Sequence, residues 1–378
     1  MKKINNVKRA VFSFVRQNTV LVIAICAALI TSFIVPPDKE YLGYFDLKTL
    51  SCLFSVLAVV CALRNIHFFT ILARKIVKLC KNSRLCVLTL VYITFIGSML
   101  IANDMALITF LPLGFFALDS TGKQKYLPFT FIMQNIAANL GGMLTPFGNP
   151  QNLYLYSKFN IPTGEFMQIM LFPFILAIAV ITVCCFIFVK KEELYIVPKE
   201  EKLNVKRAVF YALLFALSIL AVFRVINYII ALAIITVALL IADRKALAKV
   251  DYGLLFTFCA FFVFAGNMSR IPAVNSLLSM LLEKNTLVFS ALSCQCISNV
   301  PSAILLSNFT DNYRDLLLGV NIGGVGTLIS SLASLITFRE YTNLYPKSAG
   351  NYILKFSAFN FFFLISLLML QSLFNALM

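Results

Sequence analysis

Asp104 is the residue whose chemistry stands out first, because it is an acid inside the apolar stretch "GSMLIANDMALITFLP" at 97–112. The other 15 of the 16 acidic residues lie in or beside predicted loops. A carboxylate at membrane depth indicates a site for a cation or a proton, since an isolated charge is costly in hydrocarbon. A second interpretation stays open: Asp104 could cap the N-terminus of the following helix, where the helix dipole stabilises an anion.

Two further motifs combine glycine with neutral polar residues inside apolar sequence. "NLGGMLTPFGNP" spans 139–150, and "NIGGVGT" at 321–327 repeats its order of Asn, an aliphatic residue, two glycines, two further residues and Thr. Neither segment supports a continuous helix, because glycine adds backbone freedom and the prolines of the first remove donors. Non-helical backbone survives at membrane depth only inside protein or beside a wet cavity, where the exposed helix ends bind ions.

The two motifs therefore predict a broken helix each and a shared binding site, with close helix packing as the alternative reason for the glycines. The binding residues predicted from them are Asn139, Gly141, Gly142, Thr145, Gly148, Asn149, Asn321, Gly323, Gly324, Thr327 and Ser330.

Each motif is preceded by a second polar interruption, at 97–104 and at 293–302. Apolar arms of about 12–15 residues on each side are too short for two full crossings and predict re-entrant hairpins. The counterpart of Asp104 in the second tip is Asn299 or Val300, depending on the register. Capping or hydrogen bonding between helices is the alternative function of the polar residues at the tips. These residues join the candidate site: Asn103, Ser298 and Asn299.

The elements that must position these residues are membrane helices, because 60% of the 378 residues are hydrophobic and only 13% are charged. The sequence predicts an all-α polytopic membrane protein with about 10 transmembrane helices and no soluble catalytic domain. The clearest apolar stretches are 17–36, 48–63, 166–189, 208–222, 225–242, 252–268 and 353–376.

The formal net charge of +16 follows membrane topology and does not require a nucleic-acid partner. Basic residues cluster in alternate loops, which by the positive-inside rule predicts a cytoplasmic N-terminus and a cytoplasmic 190–207 linker. The expected location is the bacterial inner membrane. The basic clusters lie at 1–9, 64–84, 123–125, 190–207, 244–249 and 339–355.

The residue types that metal sites and nucleophilic enzymes use are scarce. His67 is the only histidine, and the ten cysteines show no metal-ligand spacing. Cys294 and Cys296 flank the second tip, where they could meet a thiophilic substrate or pack as small apolar residues. We therefore expect neither an enzyme nor a bound cofactor, apart from a sodium ion or proton as coupling ion.

The order of the motifs predicts two repeats. Each half places a hairpin before a broken helix and ends with a long apolar helix, and the uneven basic charge of the two halves predicts that they are inverted in the membrane. The expected organisation is an N-terminal segment with the first helix at 1–44, a first repeat at 45–189, a linker with two helices at 190–249 and a second repeat at 250–378.

"SNVPSAILLS", "NIGGVGTLISSLASL" and "NLGGMLTPFGNPQN" resemble the hairpin and broken-helix signatures of the ion transporter superfamily, over about residues 45–376. That superfamily includes citrate-type carriers, divalent anion:sodium symporters, arsenite permeases and some sodium/proton antiporters, and "GNPQN" is most similar to the citrate-transporter-like permeases of bacteria. The resemblance implies a homodimer in which a transport domain slides as an elevator past a fixed scaffold. It also implies that sodium and a substrate carboxylate bind together at Asn103, Thr145, Asn149, Ser298, Asn299 and Thr327.

The sequence departs from the family pattern at the tips, where the Ser-Asn-Thr triplet of dicarboxylate symporters is "SNV" in one hairpin and "AND" in the other. The expected function is secondary active transport of a small anion, a carboxylate such as citrate or a dicarboxylate, coupled to sodium or protons. Because Asp104 favours proton coupling or cation exchange, a sodium/proton antiporter or an arsenite-type metalloid efflux permease is the alternative. A passive channel fits less well, since hairpins that close a midplane site from both sides suit alternating access.

Overall fold

The computed structural model describes residues 18–195 and 203–377. Within these ranges the chain is helical apart from turns, loops and one bridged pair, Asn82 with Glu193, and it contains no β-strand. The predicted all-α class is confirmed. The basic segment at 1–9 and residues 196–202 of the linker lie outside the described residues.

The described part of the chain up to residue 195 forms eight α-helices. They are α1 Thr19–Ile34, α2 Leu47–Asn65, α3 Phe68–Val77, α4 Ser83–Ile101, α5 Asn103–Asp119, α6 Leu127–Gly141, α7 Pro150–Lys158 and α8 Thr163–Phe188. Short 3-10 turns occur at Lys39–Tyr44, Gln124–Tyr126 and Gly142–Leu144.

Residues 203–377 form nine further helices, with a 3-10 turn at Pro346–Ser348. They are α9 Val205–Val222, α10 Tyr228–Ala242, α11 Arg244–Ala248, α12 Tyr252–Ser269, α13 Pro272–Ile297, α14 Asn299–Leu306, α15 Tyr313–Ile322, α16 Leu332–Leu344 and α17 Ala349–Leu377.

Seven helices of the described residues are long and apolar enough to cross a membrane: α2, α4, α8, α9, α12, α13 and α17. Two shorter helices, α1 and α10, are also apolar. A polytopic membrane protein is therefore confirmed, whereas the total number of crossings and the inverted repeat stay predictions.

Each hairpin turns at one residue with positive φ, Ala102 between α4 and α5 (φ 64°) and Ser298 between α13 and α14 (φ 73°). Such a backbone costs about 1–3 kcal/mol for a residue with a Cβ, so the surrounding contacts must hold it. We call α4 and α5 the first hairpin, and residues 286–297 with α14 the second hairpin. Before 286–297, α13 is interrupted at Asn285, whose Oδ1 accepts a hydrogen bond from Val288 N at 2.9 Å.

The arms of the first hairpin are longer than predicted, with 19 residues in α4 and 17 in α5. The prediction counted only apolar residues, whereas α4 also includes a polar first turn. The re-entrant character of the hairpins stays a prediction. Asn82 caps the helix by accepting Leu85 N at 2.9 Å, and Arg84 in the first turn donates from Nε to Val189 O at 2.8 Å. α4 therefore continues into the polar region.

The helices form two packed groups. In the first group, α2 packs against α9, α10 and α11, and α1 packs against α12. α12 contacts α2 and also packs against α14 of the second hairpin. In the second group, the first hairpin packs against α6, the second hairpin packs against α15, and α6 also contacts α8 and α17. The second group holds both interrupted helices: α6 and α7, separated by the first break at 142–149, and α15 and α16, separated by the second break at 323–331.

Candidate functional site

A cavity of about 330 Å³ lies where the two hairpin tips face α1 and α12. Its walls come from both helix groups: apolar residues such as Ile23 and Phe261 belong to the first group, and the tips belong to the second. Four residues predicted from the sequence line it directly: Asn103, Asp104, Ser298 and Asn299.

Four helices begin at this cavity. The first residues of α5 (Asn103), α7 (Pro150), α14 (Asn299) and α16 (Leu332) all line it. A helix N-terminus carries backbone N–H groups without intrahelical partners and a partial positive charge. The cavity therefore has a positive potential from the backbone, although no Lys or Arg of the described residues lines it.

The two tips have the same local geometry. Asn103 Oδ1 accepts from Asp104 N at 2.9 Å, and Asn299 Oδ1 accepts from Val300 N at 2.9 Å. The register that the sequence left open is therefore Asn103 with Asn299 and Asp104 with Val300. Because Val300 is apolar, the pair places a single carboxylate at the cavity.

The Asp104 carboxylate does not cap α5 through a hydrogen bond. The backbone N–H of Asp104 itself is bound by Asn103 Oδ1, and Asp104 Oδ1 is buried without a hydrogen-bond partner among the described residues. A buried polar atom without a partner is costly, which favours a bound ligand or a proton at this oxygen.

The first break is held by Asn152, which the sequence analysis did not include. Its Nδ2 donates to Gly142 O and Met143 O at 3.2 Å and to Thr145 O at 3.4 Å. Thr145 Oγ1 in turn donates to Met99 O of the first hairpin at 2.9 Å. The break is therefore a fixed structure, and the Thr145 hydroxyl is used to attach it to the hairpin.

Two further predicted residues, Asn149 and Asn139, connect the first break to its surroundings. Asn149 donates from Nδ2 to Asn139 O at 3.3 Å, and its Oδ1 is buried without a partner among the described residues. Asn139 Oδ1 accepts from Asn103 Nδ2 at 3.2 Å, so the first break is bonded to the first tip. A Cβ on Gly148 would collide with Gly142 O, so these glycines allow a close backbone approach.

The second break is held by Gln295, also absent from the sequence analysis. Its Nε2 donates to Gly323 O at 2.9 Å and to Val325 O at 3.2 Å, and its Oε1 accepts from Thr327 N at 2.9 Å. Thr327 Oγ1 donates back to Gln295 O at 3.1 Å. The Thr327 hydroxyl is therefore occupied within the protein, and Thr327 does not line the cavity.

The second break contacts the second tip and the first broken helix. Asn299 N donates to Ser330 O at 2.9 Å, and Ser330 Oγ donates to Gly324 O at 2.9 Å. A Cβ on Gly324 would lie 3.2 Å from Asn299 Nδ2 and 3.6 Å from Asn139 Oδ1. Gly324 thus lies between the second tip and the first broken helix.

The two broken helices are joined by one short bond, from Asn321 Nδ2 to Asn152 Oδ1 at 2.6 Å. The remaining predicted glycines pack behind the site, since a Cβ on Gly141 would collide with Phe95 O and one on Gly323 would lie 2.8 Å from Ala291 Cα. The structure therefore brings all of the predicted residues into one assembly, but only the tip residues reach the cavity surface.

Gln151 is a third residue that the sequence analysis missed. It lies in the first turn of α7, lines the cavity, is 1% exposed, and has an Oε1 without a partner among the described residues. Together with Asp104 Oδ1 it offers oxygen acceptors, which suit a hard cation such as sodium. The only sequence signal for Gln151 was its place in "GNPQN", directly after Asn149 and Pro150.

The cysteines of "CQC" differ in their surroundings. Cys294 is buried and donates to Ser290 O at 3.2 Å, whereas Cys296 is exposed and lines the cavity. The described residues contain no group of three or more His, Cys, Asp or Glu side chains that could hold a metal ion.

Comparison with known proteins agrees with this architecture. A family model described as citrate transporter matches residues 10–313. An uncharacterized transporter of Methanocaldococcus jannaschii is 35% identical over 306 residues, which cover 79% of this chain and 82% of that protein. An inner membrane protein of Escherichia coli is 27% identical over 317 residues, which cover 82% of this chain and 84% of that protein.

A Dictyostelium discoideum protein whose name describes it as a transporter, arsB, is 23% identical over 166 residues, covering 44% of this chain and 29% of that protein. The family match extends over most of the chain, and the relatives are named as transporters and an inner membrane protein rather than as enzymes. The protein is a polytopic membrane transporter that belongs to the citrate transporter family.

Proposed function

We propose that the protein is a secondary active transporter that moves a small anion, a carboxylate such as citrate or a dicarboxylate, in symport with sodium or protons. The observation that carries this proposal is the meeting of four helix N-termini at one cavity between the two helix groups. Backbone N–H groups at helix N-termini bind carboxylate and phosphate oxygens without a basic side chain. The same arrangement is a recurrent feature of transporter sites near the membrane midplane.

A second cavity supports an anionic substrate. It has a volume of about 450 Å³, lies between α2, α3 and α5, and has no acidic residue among those that line it. Its basic residues are Arg64, Arg74 and Lys249, with His67 beside them. Arg64 also contacts Met105, which directly follows Asp104. Positive charge in a cavity that Arg64 connects to the first tip would raise the local concentration of anions.

Coupling follows from the charge of Asp104. An ionised Asp104 would repel a carboxylate substrate in a site of low dielectric constant, unless a proton or a sodium ion accompanies the substrate. The free oxygens of Asp104 and Gln151 are suitable ligands for sodium. The substrate carboxylate and the coupling cation would then bind favourably together, whereas either one alone would leave an unbalanced charge in the site.

The location of the cavity supports an elevator mechanism. The substrate would be held by the tips and breaks of the second helix group, and α1 and α12 of the first group would cover it. Sliding of the second group along the first would expose the site on the other side of the membrane. We propose that the protein works as a homodimer in the bacterial inner membrane, with its N-terminus and the 190–207 linker in the cytoplasm.

Uptake into proteoliposomes tests the function. The purified protein is reconstituted, and radiolabelled citrate, succinate, phosphate and sulfate are offered under an imposed sodium gradient, a proton gradient or neither. The proposal expects one carboxylate to accumulate only when one of the gradients is present. Carboxylate flux that equilibrates without either gradient would contradict secondary active transport and favour a channel.

The second candidate is a sodium/proton antiporter or a metalloid efflux permease. Two observations favour it: the unpartnered carboxylate oxygen of Asp104 and the exposed thiol of Cys296 in the same cavity. The same liposomes, loaded with a pH-sensitive dye, distinguish it. Sodium-driven proton movement in the absence of any anion, or arsenite transport without carboxylate transport, would replace the first proposal.

A further inference from the structure

A groove on the second helix group combines three phenylalanines with three lysines. Its volume is about 600 Å³, and it lies where α6 begins, α8 ends and the first turns of α17 pass. We call it the lysine–phenylalanine groove, and its defining residues are Phe129, Phe188, Phe359, Lys125, Lys190 and Lys355. It is separate from the cavity at the hairpin tips and shares no lining residue with it.

The three phenylalanines form one aromatic cluster. Their ring centroids are 5.5 Å apart for Phe129 and Phe188, 5.4 Å for Phe129 and Phe359, and 5.1 Å for Phe188 and Phe359. The described part of the chain covers the cluster only in part: Phe129 and Phe359 are half-buried, whereas Phe188 is 52% exposed. It provides one continuous apolar surface across α6, α8 and α17.

The lysines lie beside this surface, at the ends of the helices. Lys190 follows the last residue of α8 by two positions, and Lys355 lies in the second turn of α17. Within the described residues neither ammonium group has a hydrogen-bond or ion-pair partner, whereas Lys125 pairs with Glu192 at 2.6 Å. Glu192, which also binds Lys123 at 2.8 Å, is the one acid among the described residues that line the groove, so the three lining lysines leave an excess of positive charge.

This order of groups matches one kind of ligand. α8 and α17 are both long and apolar enough to span a membrane. We therefore expect the boundary between hydrocarbon and headgroups near the end of α8, where the charged residues begin. Phenyl rings below that boundary suit an acyl chain, and lysines above it suit a phosphate, which attracts basic residues at membrane surfaces. All three lysines also belong to basic clusters predicted to be cytoplasmic.

We propose that the lysine–phenylalanine groove binds an anionic phospholipid of the cytoplasmic leaflet, with its phosphate at Lys190 and Lys355 and an acyl chain against Phe188 and Phe359. The lipid joins α6, α8 and α17 at their cytoplasmic ends and stabilises the second helix group. This binding does not depend on which substrate the transporter moves.

Native mass spectrometry of the full-length protein in detergent tests the site. Phosphatidylglycerol and phosphatidylcholine with identical acyl chains are titrated separately, and glycerol phosphate is added as a soluble phosphate. We expect phosphatidylglycerol to bind to the wild-type protein well above phosphatidylcholine. The affinity for phosphatidylglycerol should fall roughly 10- to 30-fold in the double variant Lys190→Gln/Lys355→Gln, because each interfacial lysine contributes several-fold.

The matched control is Lys75→Gln/Lys78→Gln, which removes two exposed lysines on or beside α3 that lie outside the groove. It should bind phosphatidylglycerol like the wild-type protein. Phe188→Ala should weaken binding of long-chain phosphatidylglycerol more than binding of a short-chain analogue. Equal binding by both double variants, or equal binding of the two lipids, would overturn the proposal. Groove-dependent binding of glycerol phosphate as strong as that of the lipid would assign the site to free phosphates instead.

Discussion

Asp104 and Val300 occupy equivalent positions at the two tips, and their difference gives the site a single carboxyl group. The equivalent asparagines, Asn103 and Asn299, do the structural work of binding the next backbone N–H in both hairpins. The Asp104 carboxylate lies in the first turn of α5, where the helix dipole also stabilises an anion. An unpaired buried acid persists when it has a function that its surroundings do not replace.

The first prediction is that Asp104→Asn folds and inserts normally but loses the coupling of transport to the driving cation. The amide keeps the shape of the side chain but carries no charge, so neither a proton nor sodium is needed to balance it. Uptake with and without the sodium and proton gradients measures the effect. Asp119→Asn, at the other end of the same helix, is the matched control and should keep wild-type coupling, because the Asp119 carboxylate accepts a hydrogen bond from Gln124 and does not line the cavity. Wild-type coupling in Asp104→Asn would assign coupling to neutral oxygens.

At the scale of elements, each break is held by one amide side chain that bonds several backbone carbonyls. The second prediction concerns the amide of the first break. Asn152→Ala should destabilise the protein by roughly 3 kcal/mol, because three carbonyls lose a donor and the Asn321 amide loses its acceptor. Thermal unfolding in detergent measures this change.

A double-mutant cycle with Asn321→Ala isolates the bond between the two broken helices. Because the two amides are bonded to each other, the double variant should be less destabilised than the sum of the single variants, by at least about 0.5 kcal/mol. Strict additivity would show that the Asn152–Asn321 bond does not connect the helices in the membrane.

The third prediction concerns the segment after α8, which Glu192 fixes to two other elements. Its backbone exchanges hydrogen bonds with Ser83, and its carboxylate binds Lys123, Lys125 and Tyr126. The hydrogen bond from Lys123, then those from Lys125 and Tyr126, lower the pKa of Glu192 from 4.5 to about 2.

Because the pKa is lower in the folded protein, the stabilisation is complete above about pH 4.5 and is lost as the pH falls towards about 2. The melting temperatures of the wild-type protein and Glu192→Gln should therefore differ by a constant amount at neutral and mildly acidic pH and converge in strong acid. Glu193→Gln, the neighbouring acid, is the control and should show no such convergence. A difference that grew on acidification would contradict the pairing.

At the scale of the whole molecule, the cavity is bounded by two helix groups that must move relative to each other in the proposed mechanism. The fourth prediction uses two pairs of cysteines from this one cavity. With Cys26 and Cys296 replaced by Ser, a flexible bifunctional maleimide should stop transport when it joins Ala27→Cys to Val300→Cys, which belong to different groups. Joining Ala27→Cys to Phe264→Cys, both in the first group, should leave transport largely unchanged. Equal inhibition by both crosslinks would contradict sliding of the groups.

Much of this architecture could be predicted from the sequence. The length of an apolar stretch and the interruption of a helix by Gly and Pro depend on neighbouring residues alone. The helical membrane class and the family are confirmed, and the tips and breaks lie at the predicted motifs. The residues that hold the two breaks could not be predicted. Asn152 and Gln295 donate hydrogen bonds to backbone carbonyls that come near them only when the chain is folded. The length of α4 was missed for a similar reason, since its polar first turn is stabilised by Val189, distant in sequence.

Cys296 makes the cavity at the tips sensitive to thiol reagents, although binding of the proposed carboxylate substrate does not require a thiol. Among the described residues that line the cavity at the tips, it is the only soft donor, and every other donor or acceptor is nitrogen or oxygen. Mercurials, trivalent arsenicals and oxidants react with accessible thiols and ignore carboxylates. A carrier of hard ions would thus be open to inhibition by soft metals and oxidative stress at its own binding site, and bound substrate would shield it.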